Sequence, residues 1–151
     1  MITVRQQFHK TANQKARDEE AALLPSLRAH FKDHLLTQSV GTFDRFDFVS
    51  PTRKIELKTR TCLVDTYPDL MIGANKIAEA RRNHNQRDHI FCFKFADGSV
   101  YYWIYDPAVF LPARIGGRTD RGMDERKEHF FIPTNVLEYL PIVEEDKNDT
   151  F

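Results

Sequence analysis

Three side chains between residues 44 and 58 have the types and spacing of a metal-binding site. Residues 42–49 and 54–59 each alternate apolar with polar or charged side chains, and Pro51 lies between the two runs. Period-two alternation around a Pro-containing turn is typical of a β-hairpin. If residues 50–53 form the turn, Asp47 lies opposite Glu56. Lys58 then follows two residues later on the same sheet face.

The chemistry that this face supports is that of a hard divalent cation. Two carboxylates that face each other across paired strands repel, and a bound divalent ion removes that cost. The ammonium of Lys58 reaches the same point. A metal that activates water, together with a cation beside the phosphate, suits phosphodiester hydrolysis. If the hairpin has an odd turn or a bulge, Asp44 takes the place of Asp47.

A long helix precedes the hairpin. Residues 11–36 show helical periodicity with an apolar side formed by Ala16, Leu23, Leu24, Leu27 and Phe31. Pro25 is expected to kink this helix or to start a second one. Glu20 interrupts the apolar stripe at its centre, and His34 lies on the same side. We interpret His34 as a partly buried structural histidine.

The rest of the chain continues the alternation of helices and strands. Asp97-Gly98 between two apolar runs predicts a hairpin of residues 89–95 and 100–105. The further predicted elements are a helix over residues 70–83, a polar and Arg-rich loop over 112–128, a short strand over 130–132, and a helical turn from Thr134 to Leu140, capped by Thr134. This order predicts an α/β domain with a mixed central β-sheet flanked by helices.

Composition limits the number of domains and the classes of function. The 151 residues fit one domain, with a core over about residues 12–106, a C-terminal extension over 107–143 and an acidic tail over 144–151. The net charge of +0 argues against a non-specific nucleic-acid coat. No apolar stretch approaches the length of a membrane span, and the first ten residues are polar. We therefore expect no membrane partner and an intracellular location, with Cys62 and Cys92 reduced.

The hairpin resembles a known signature. Asp47, separated by eight residues from Glu56-Leu57-Lys58, is similar to the Asp…(Asp/Glu)-x-Lys motif of the PD-(D/E)xK nucleases, although Phe46 stands where that motif has proline. The order helix, hairpin, crossover helix and further strand is similar to the restriction-endonuclease-like core of that superfamily. The resemblance implies a nuclease that depends on Mg²⁺ or Mn²⁺.

The resemblance also implies roles for individual residues. Asp47, Glu56 and Lys58 would be catalytic, and the metal site would comprise Glu20, Asp47, Glu56 and Leu57, with Glu19 as the alternative to Glu20. Lys76 on the crossover helix and Arg114 and Arg118 in the basic loop are expected to contact nucleic acid, with DNA favoured over RNA. A homodimer is compatible with the superfamily. The alternative interpretation is an inactive nuclease-fold module that binds nucleic acid or a protein partner.

Overall fold

Two sheets and two helices make up the part of the chain that the computed structural model describes, residues 12–40, 46–116 and 127–144. In chain order the elements are α1 (Ala12–Phe31), β1 (Thr37–Gln38), β2 (Phe48–Val49), β3 (Arg53–Thr59), β4 (Asp69–Gly73), α2 (Ala74–Asn83), β5 (Asp88–Lys94), β6 (Val100–Ile104), β7 (Ala113–Gly116), β8 (Lys127–Pro133), a 3₁₀ turn (Thr134–Val136) and β9 (Glu138–Leu140).

The predicted hairpin lies inside a six-stranded sheet of order β1-β2-β3-β5-β6-β9. Val49 pairs with Lys54 and Phe48 with Ile55, which confirms the predicted register. β3 and β5 run parallel, whereas the other neighbours are antiparallel. Parallel strands need a crossover connection, and β4 with α2 supplies it. The prediction of a mixed central sheet flanked by helices is confirmed.

The central sheet is covered on both faces, so its middle strands are buried. One face packs under α1 through a core cluster that includes Leu27, Phe48 and Ile55. The other face packs under α2 and a second sheet through a cluster that includes Ile77 and Phe91. A charged side chain that is buried on either face of β3, as Glu56 is, must therefore find a partner or lose its charge.

The second sheet corrects the prediction of a helix over residues 70–83. Residues 69–73 form β4, which pairs with β8 in a three-stranded sheet of order β4-β8-β7. Leu70 and Ile72 are both buried with a more exposed residue between them, which is the period of a strand. Pairing with Ile132 and Phe130 outweighs the local helical pattern. The helix begins only at Ala74.

Two predictions for the C-terminal third are also wrong in part. The segment 112–128 was expected to be a loop, but β7 and the start of β8 lie within it, and they pair with each other. The expected helical turn through Leu140 is a 3₁₀ turn followed by β9 at the edge of the large sheet. Thr134 Oγ1 donates to the carbonyl of Pro68 at 3.1 Å rather than capping a helix. Residues 107–143 thus add strands to both sheets.

The first helix differs from its prediction at Pro25 and at its C-terminal end. α1 continues through Pro25, so no second helix begins there. It ends at Phe31 because Lys32 adopts a left-handed backbone with φ of 52°. His34 lies beyond this turn and is exposed, which corrects its assignment as a partly buried residue. Ala16 is exposed as well. Neither helix of the described residues is long and apolar enough to span a membrane.

A buried polar contact attaches the end of α1 to the hairpin. Asp33 accepts a hydrogen bond from Ser50 Oγ at 2.7 Å and forms an ion pair with Arg53 at 3.1 Å. Burial alone would raise the pKa of Asp33, but the hydrogen bonds from Ser50 and Arg53 outweigh it and hold this pKa below its ordinary value. The contact connects the loop after α1 to the turn of the hairpin that carries Glu56.

We predict that Asp33→Asn lowers the free energy of unfolding at neutral pH by about 1–3 kcal/mol, the cost of weakening a buried charged acceptor. Since the pKa of Asp33 is depressed on folding, its contribution is complete above pH 3.8 and is lost as the pH falls through its folded pKa. Urea titrations at pH 7 and pH 3 test this, with the exposed Asp65→Asn as control. A deficit of the same size at both pH values would contradict the assigned role.

Candidate active site

Glu56 is the most buried acid of the predicted set. It lies in the middle of β3, between β2 and β5, and is 3% exposed. Burial, followed by the adjacent Asp47 carboxylate, raises the pKa of Glu56 to about 8 against the lowering effect of Lys58 and Lys76. A proton or a cation must therefore neutralise Glu56 at this position.

Asp47 is fixed beside Glu56 by the backbone of the opposite strand. Its Oδ2 atom accepts a hydrogen bond from the amide of Leu57 at 2.8 Å. The alternation of β3 sends the side chains of Glu56 and Lys58 to the opposite face from that of Leu57. Leu57 thus holds Asp47 through its main chain.

Glu20 reaches the same carboxylate group from α1. Gln38 Nε2 donates to Glu20 Oε2 at 2.8 Å and to the carbonyl of Arg17 at 3.1 Å. Burial raises the pKa of Glu20, the bond from Gln38 lowers it, and the charge of Asp47 raises it again, with a net increase. Its neighbour Glu19 turns away and accepts a hydrogen bond from Thr59 Oγ1 at 3.0 Å. Of the two acids, Glu20 is the one that adjoins Asp47.

Two lysines face Glu56. Lys76, at the start of α2, places its ammonium 2.9 Å from Glu56 Oε2, and Lys58 places its own 4.0 Å from the same atom. Lys58 is the more exposed of the two. Glu56 Oε2 nevertheless has no well-directed hydrogen bond within the described part of the chain. The ion pair with Lys76 thus compensates the charge without satisfying the oxygen.

Phe46 separates this site from a second buried ionic group. The ammonium groups of Lys76 and Lys54 lie 5.1 and 5.9 Å from the Phe46 ring centre. Beyond the ring, Glu79 contacts Lys54 at 3.5 Å and His89 Nε2 at 3.3 Å. The aromatic ring at the position of the motif's proline therefore packs between two cations.

The donor chemistry of the site suits a hard cation. Glu20, Asp47 and Glu56 offer only oxygen atoms, and one buried oxygen of Glu56 lacks a hydrogen bond. Hard divalent ions bind such oxygen donors. Among residues 12–40, 46–116 and 127–144, however, no three acidic, histidine or cysteine side chains are already arranged around a common point as a finished metal site. The residues fit a divalent ion by their type, and the Lys76 ammonium lies 2.9 Å from the Glu56 oxygen that lacks a hydrogen bond.

The basic residues predicted to contact nucleic acid lie in different places. Lys76 adjoins Glu56, as described. Arg114 lies on β7, pairs with Asp69 at 2.7 Å and stacks on Phe131 with its guanidinium carbon 3.7 Å from the ring centre. Arg118 and the alternative ligand Asp44 lie outside the described residues.

The sequence interpretation overlooked two residues beside the site. Gln38, which orients Glu20, belongs to a strand of two residues that carries no pattern of its own. Arg60 continues the alternation of Glu56 and Lys58 on the same face, and that period-two spacing could have revealed it. Its guanidinium lies 5.7 Å from the Phe93 ring centre and donates to the carbonyl of Met71 at 2.7 Å.

The fold and the acidic hairpin define a member of the PD-(D/E)xK superfamily. Residues 3–141 match the model of a family described as "Phage putative PDDEXK endonuclease", and the chain belongs to this family. That membership implies nucleic acid as substrate and supports a nuclease at this general level, in a superfamily that commonly uses divalent metals. No curated protein and no solved structure matches the chain.

We predict that Glu56→Gln raises the melting temperature of the metal-free protein above pH 8. The unfolded chain releases the Glu56 proton near pH 4.5, whereas the folded protein retains it to about pH 8. The folded state therefore binds more protons in this interval, so stability falls as the pH rises from 4.5 to 8. The glutamine variant should lose this part of the slope.

The measurement is a series of thermal melts in EDTA from pH 4 to pH 9, with Glu144→Gln, a change in an exposed acid, as control. Parallel pH profiles for wild type and Glu56→Gln would show that Glu56 ionises normally and would contradict its burial as a neutralised acid.

Proposed function

We propose that this protein is a nuclease that hydrolyses phosphodiester bonds and requires Mg²⁺ or Mn²⁺. The observation that carries the proposal is the buried carboxylate of Glu56 on the central strand, beside Asp47 and facing two lysines. A structural ion pair needs one lysine and gains nothing from a second carboxylate at the same point. A cation-dependent site that receives a phosphate needs both kinds of group.

Each side chain has a distinct proposed role. Glu20, Asp47 and Glu56 would hold the divalent ion, with Leu57 as the predicted main-chain contributor. When bound, the ion supplies positive charge for the phosphate and lowers the pKa of water. The Asp47 carboxylate is oriented by the Leu57 amide, and Gln38 orients Glu20. These two hydrogen bonds orient Asp47 and Glu20 before any ligand binds.

Lys58 and Lys76 have different proposed roles in binding the phosphate. Lys58 is partly exposed and is not bonded closely to Glu56, so its ammonium is free to approach the attacking water or the developing phosphate charge. Lys76 lies closer to Glu56 in the absence of metal. With a divalent ion bound at Glu56, the Lys76 ammonium would be available to a phosphate oxygen. We take DNA as the substrate to test first, and a homodimer remains a prediction.

We expect Mg²⁺ or Mn²⁺ at millimolar concentration to raise the melting temperature, because an ion that binds only the folded state stabilises it by mass action. Asp47→Asn and Glu56→Gln should each remove most of this increase, and Glu20→Gln should reduce it. Differential scanning fluorimetry with and without metal measures the response, and Glu19→Gln is the matched control on the same helix. A full metal response in both Asp47→Asn and Glu56→Gln would place the ion elsewhere.

We expect Lys58→Ala to lower the single-turnover cleavage rate by about two orders of magnitude or more, the scale for loss of one preorganised charge. Folding and the metal-induced rise in melting temperature should remain nearly unchanged, because Lys58 does not hold the metal. The assay uses Mn²⁺ with single-stranded, duplex and branched DNA and structured RNA, with the exposed Lys15→Ala as control. Tight binding by the wild type without cleavage of any substrate would favour the inactive binding module instead.

A further inference from the structure

An open groove of about 450 Å³ begins directly after β3, at Arg60, which follows Lys58 by two residues. It lies between the segment that follows β3 and the three-stranded sheet. The lining residues that matter here are Arg60, Cys62, Tyr67, Asp69, Arg114 and Phe131. This volume lies within the roughly 300–1,000 Å³ typical of clefts that hold small ligands. The groove is therefore large enough for one nucleotide.

Arg60 is a half-buried cation at the inner end of this groove. Its guanidinium donates to the carbonyls of Met71 at 2.7 Å and Thr59 at 3.3 Å. Within the described ranges of the chain, no carboxylate lies at ion-pair distance from it. Carbonyl oxygens leave the positive charge uncompensated, and a phosphate is the group that a guanidinium binds most strongly.

The position of Arg60 relates this cation to the proposed reaction. Arg60 lies two residues after Lys58, directly past the end of β3, and its amide still donates to the carbonyl of Lys94 as in a strand. Extended backbone of this kind separates the two Cα atoms by about 7 Å. A single nucleotide can span this distance. If Lys58 acts on the phosphate that is cut, Arg60 can bind the next phosphate of the same strand.

The outer part of the groove offers flat surfaces for a base. Tyr67 is 58% exposed, and no aromatic ring of the described residues packs against it. Arg114 is held against Phe131 at 3.7 Å and by Asp69 at 2.7 Å, so its planar guanidinium is already fixed. Aromatic rings and arginine planes are the groups on which unpaired bases stack.

We propose that this groove binds one unpaired nucleotide next to the phosphate that is cut, with Arg60 on its phosphate and Tyr67 and Arg114 on its base. A base within a duplex is stacked and paired, and must leave the helix to enter such a groove. The substrate strand is therefore single-stranded, or locally unpaired, on this side of the cut. The assignment of the adjacent phosphate rests on the proposed function, whereas the binding of an unpaired base does not.

The test is binding of oligonucleotides by the full-length protein in EDTA, where cleavage does not interfere. The probe is single-stranded DNA with the fluorescent base 2-aminopurine, compared with the same strand in a duplex. Stacking on Tyr67 should quench the probe, and Tyr67→Ala should weaken binding of the single strand about tenfold, the scale for loss of one stacked base. Tyr67→Phe retains the ring and should bind like wild type.

Two further variants make the result specific to the groove. Arg60→Gln should weaken binding and reduce the salt dependence by about one counterion, as expected for loss of one phosphate contact. Tyr139→Ala removes an equally exposed tyrosine on β9 and should have no effect. Tyr67 is on the surface, so Tyr67→Ala should fold. If Arg60→Gln does not fold, the comparison of Tyr67→Ala with Tyr67→Phe is sufficient to test the inference.

The inference fails if Tyr67→Ala binds the single strand as tightly as wild type does. It also fails if the protein prefers the duplex. A protein that cuts duplex DNA with Tyr67→Ala fully active would overturn the groove inference and leave the proposed function intact. A protein that cuts nothing, yet loses single-strand binding in Tyr67→Ala and retains it in Tyr67→Phe, would overturn the proposed function and leave the groove intact.

Discussion

The burial of Glu56 in the central strand is the constraint on which the rest of the site depends. A carboxylate removed from water on a covered sheet face must be protonated, paired with a cation or bound to a metal. Here burial and the Asp47 carboxylate raise its pKa to about 8, even though the two nearby lysines lower it. A hydrophobic residue at this position would cost nothing of this kind. The cost is understandable when the carboxylate serves to bind a ligand that the protein acquires later.

Several neighbouring features follow from this constraint. Lys76 lies on the crossover helix, so the helix that makes the parallel pairing of β3 and β5 possible also brings a cation to Glu56. Phe46 fills the space between Lys76 and Lys54. On its other side, Glu79 of α2 contacts Lys54 and His89. The Phe46 ring thus separates two buried acids, Glu56 of β3 and Glu79 of α2, and each acid contacts its own basic residues.

The core of the site could be predicted from sequence because it depends on local alternation. The register of the hairpin and the common face of Glu56 and Lys58 follow from a period of two residues, which few contacts elsewhere can alter. Glu20 could be recognised in the sequence as an acidic residue within an apolar stripe. These features needed no knowledge of distant segments.

The remaining features depend on contacts between distant parts of the chain. β4 forms a strand because β8, about sixty residues later, pairs with it. The sequence of residues 69–73 does not by itself indicate this partner. β9 is ordered by its pairing with β6 rather than by its own sequence. The groove beside Arg60 exists only where these separate segments meet. For this reason, the fold class and the register of the hairpin could be predicted from the sequence, whereas the second sheet and its groove could not.

The measurement that tests the central claim most directly is anomalous diffraction from crystals of the protein soaked in Mn²⁺. The claim is that Lys76 occupies the place of a divalent ion beside Glu56 when the metal is absent. We predict one Mn²⁺ peak contacted by the carboxylates of Asp47, Glu56 and Glu20, with the Lys76 ammonium displaced from Glu56. A structure in which the 2.9 Å contact between Lys76 and Glu56 persists at millimolar Mn²⁺, with the ion absent or bound elsewhere, would contradict it.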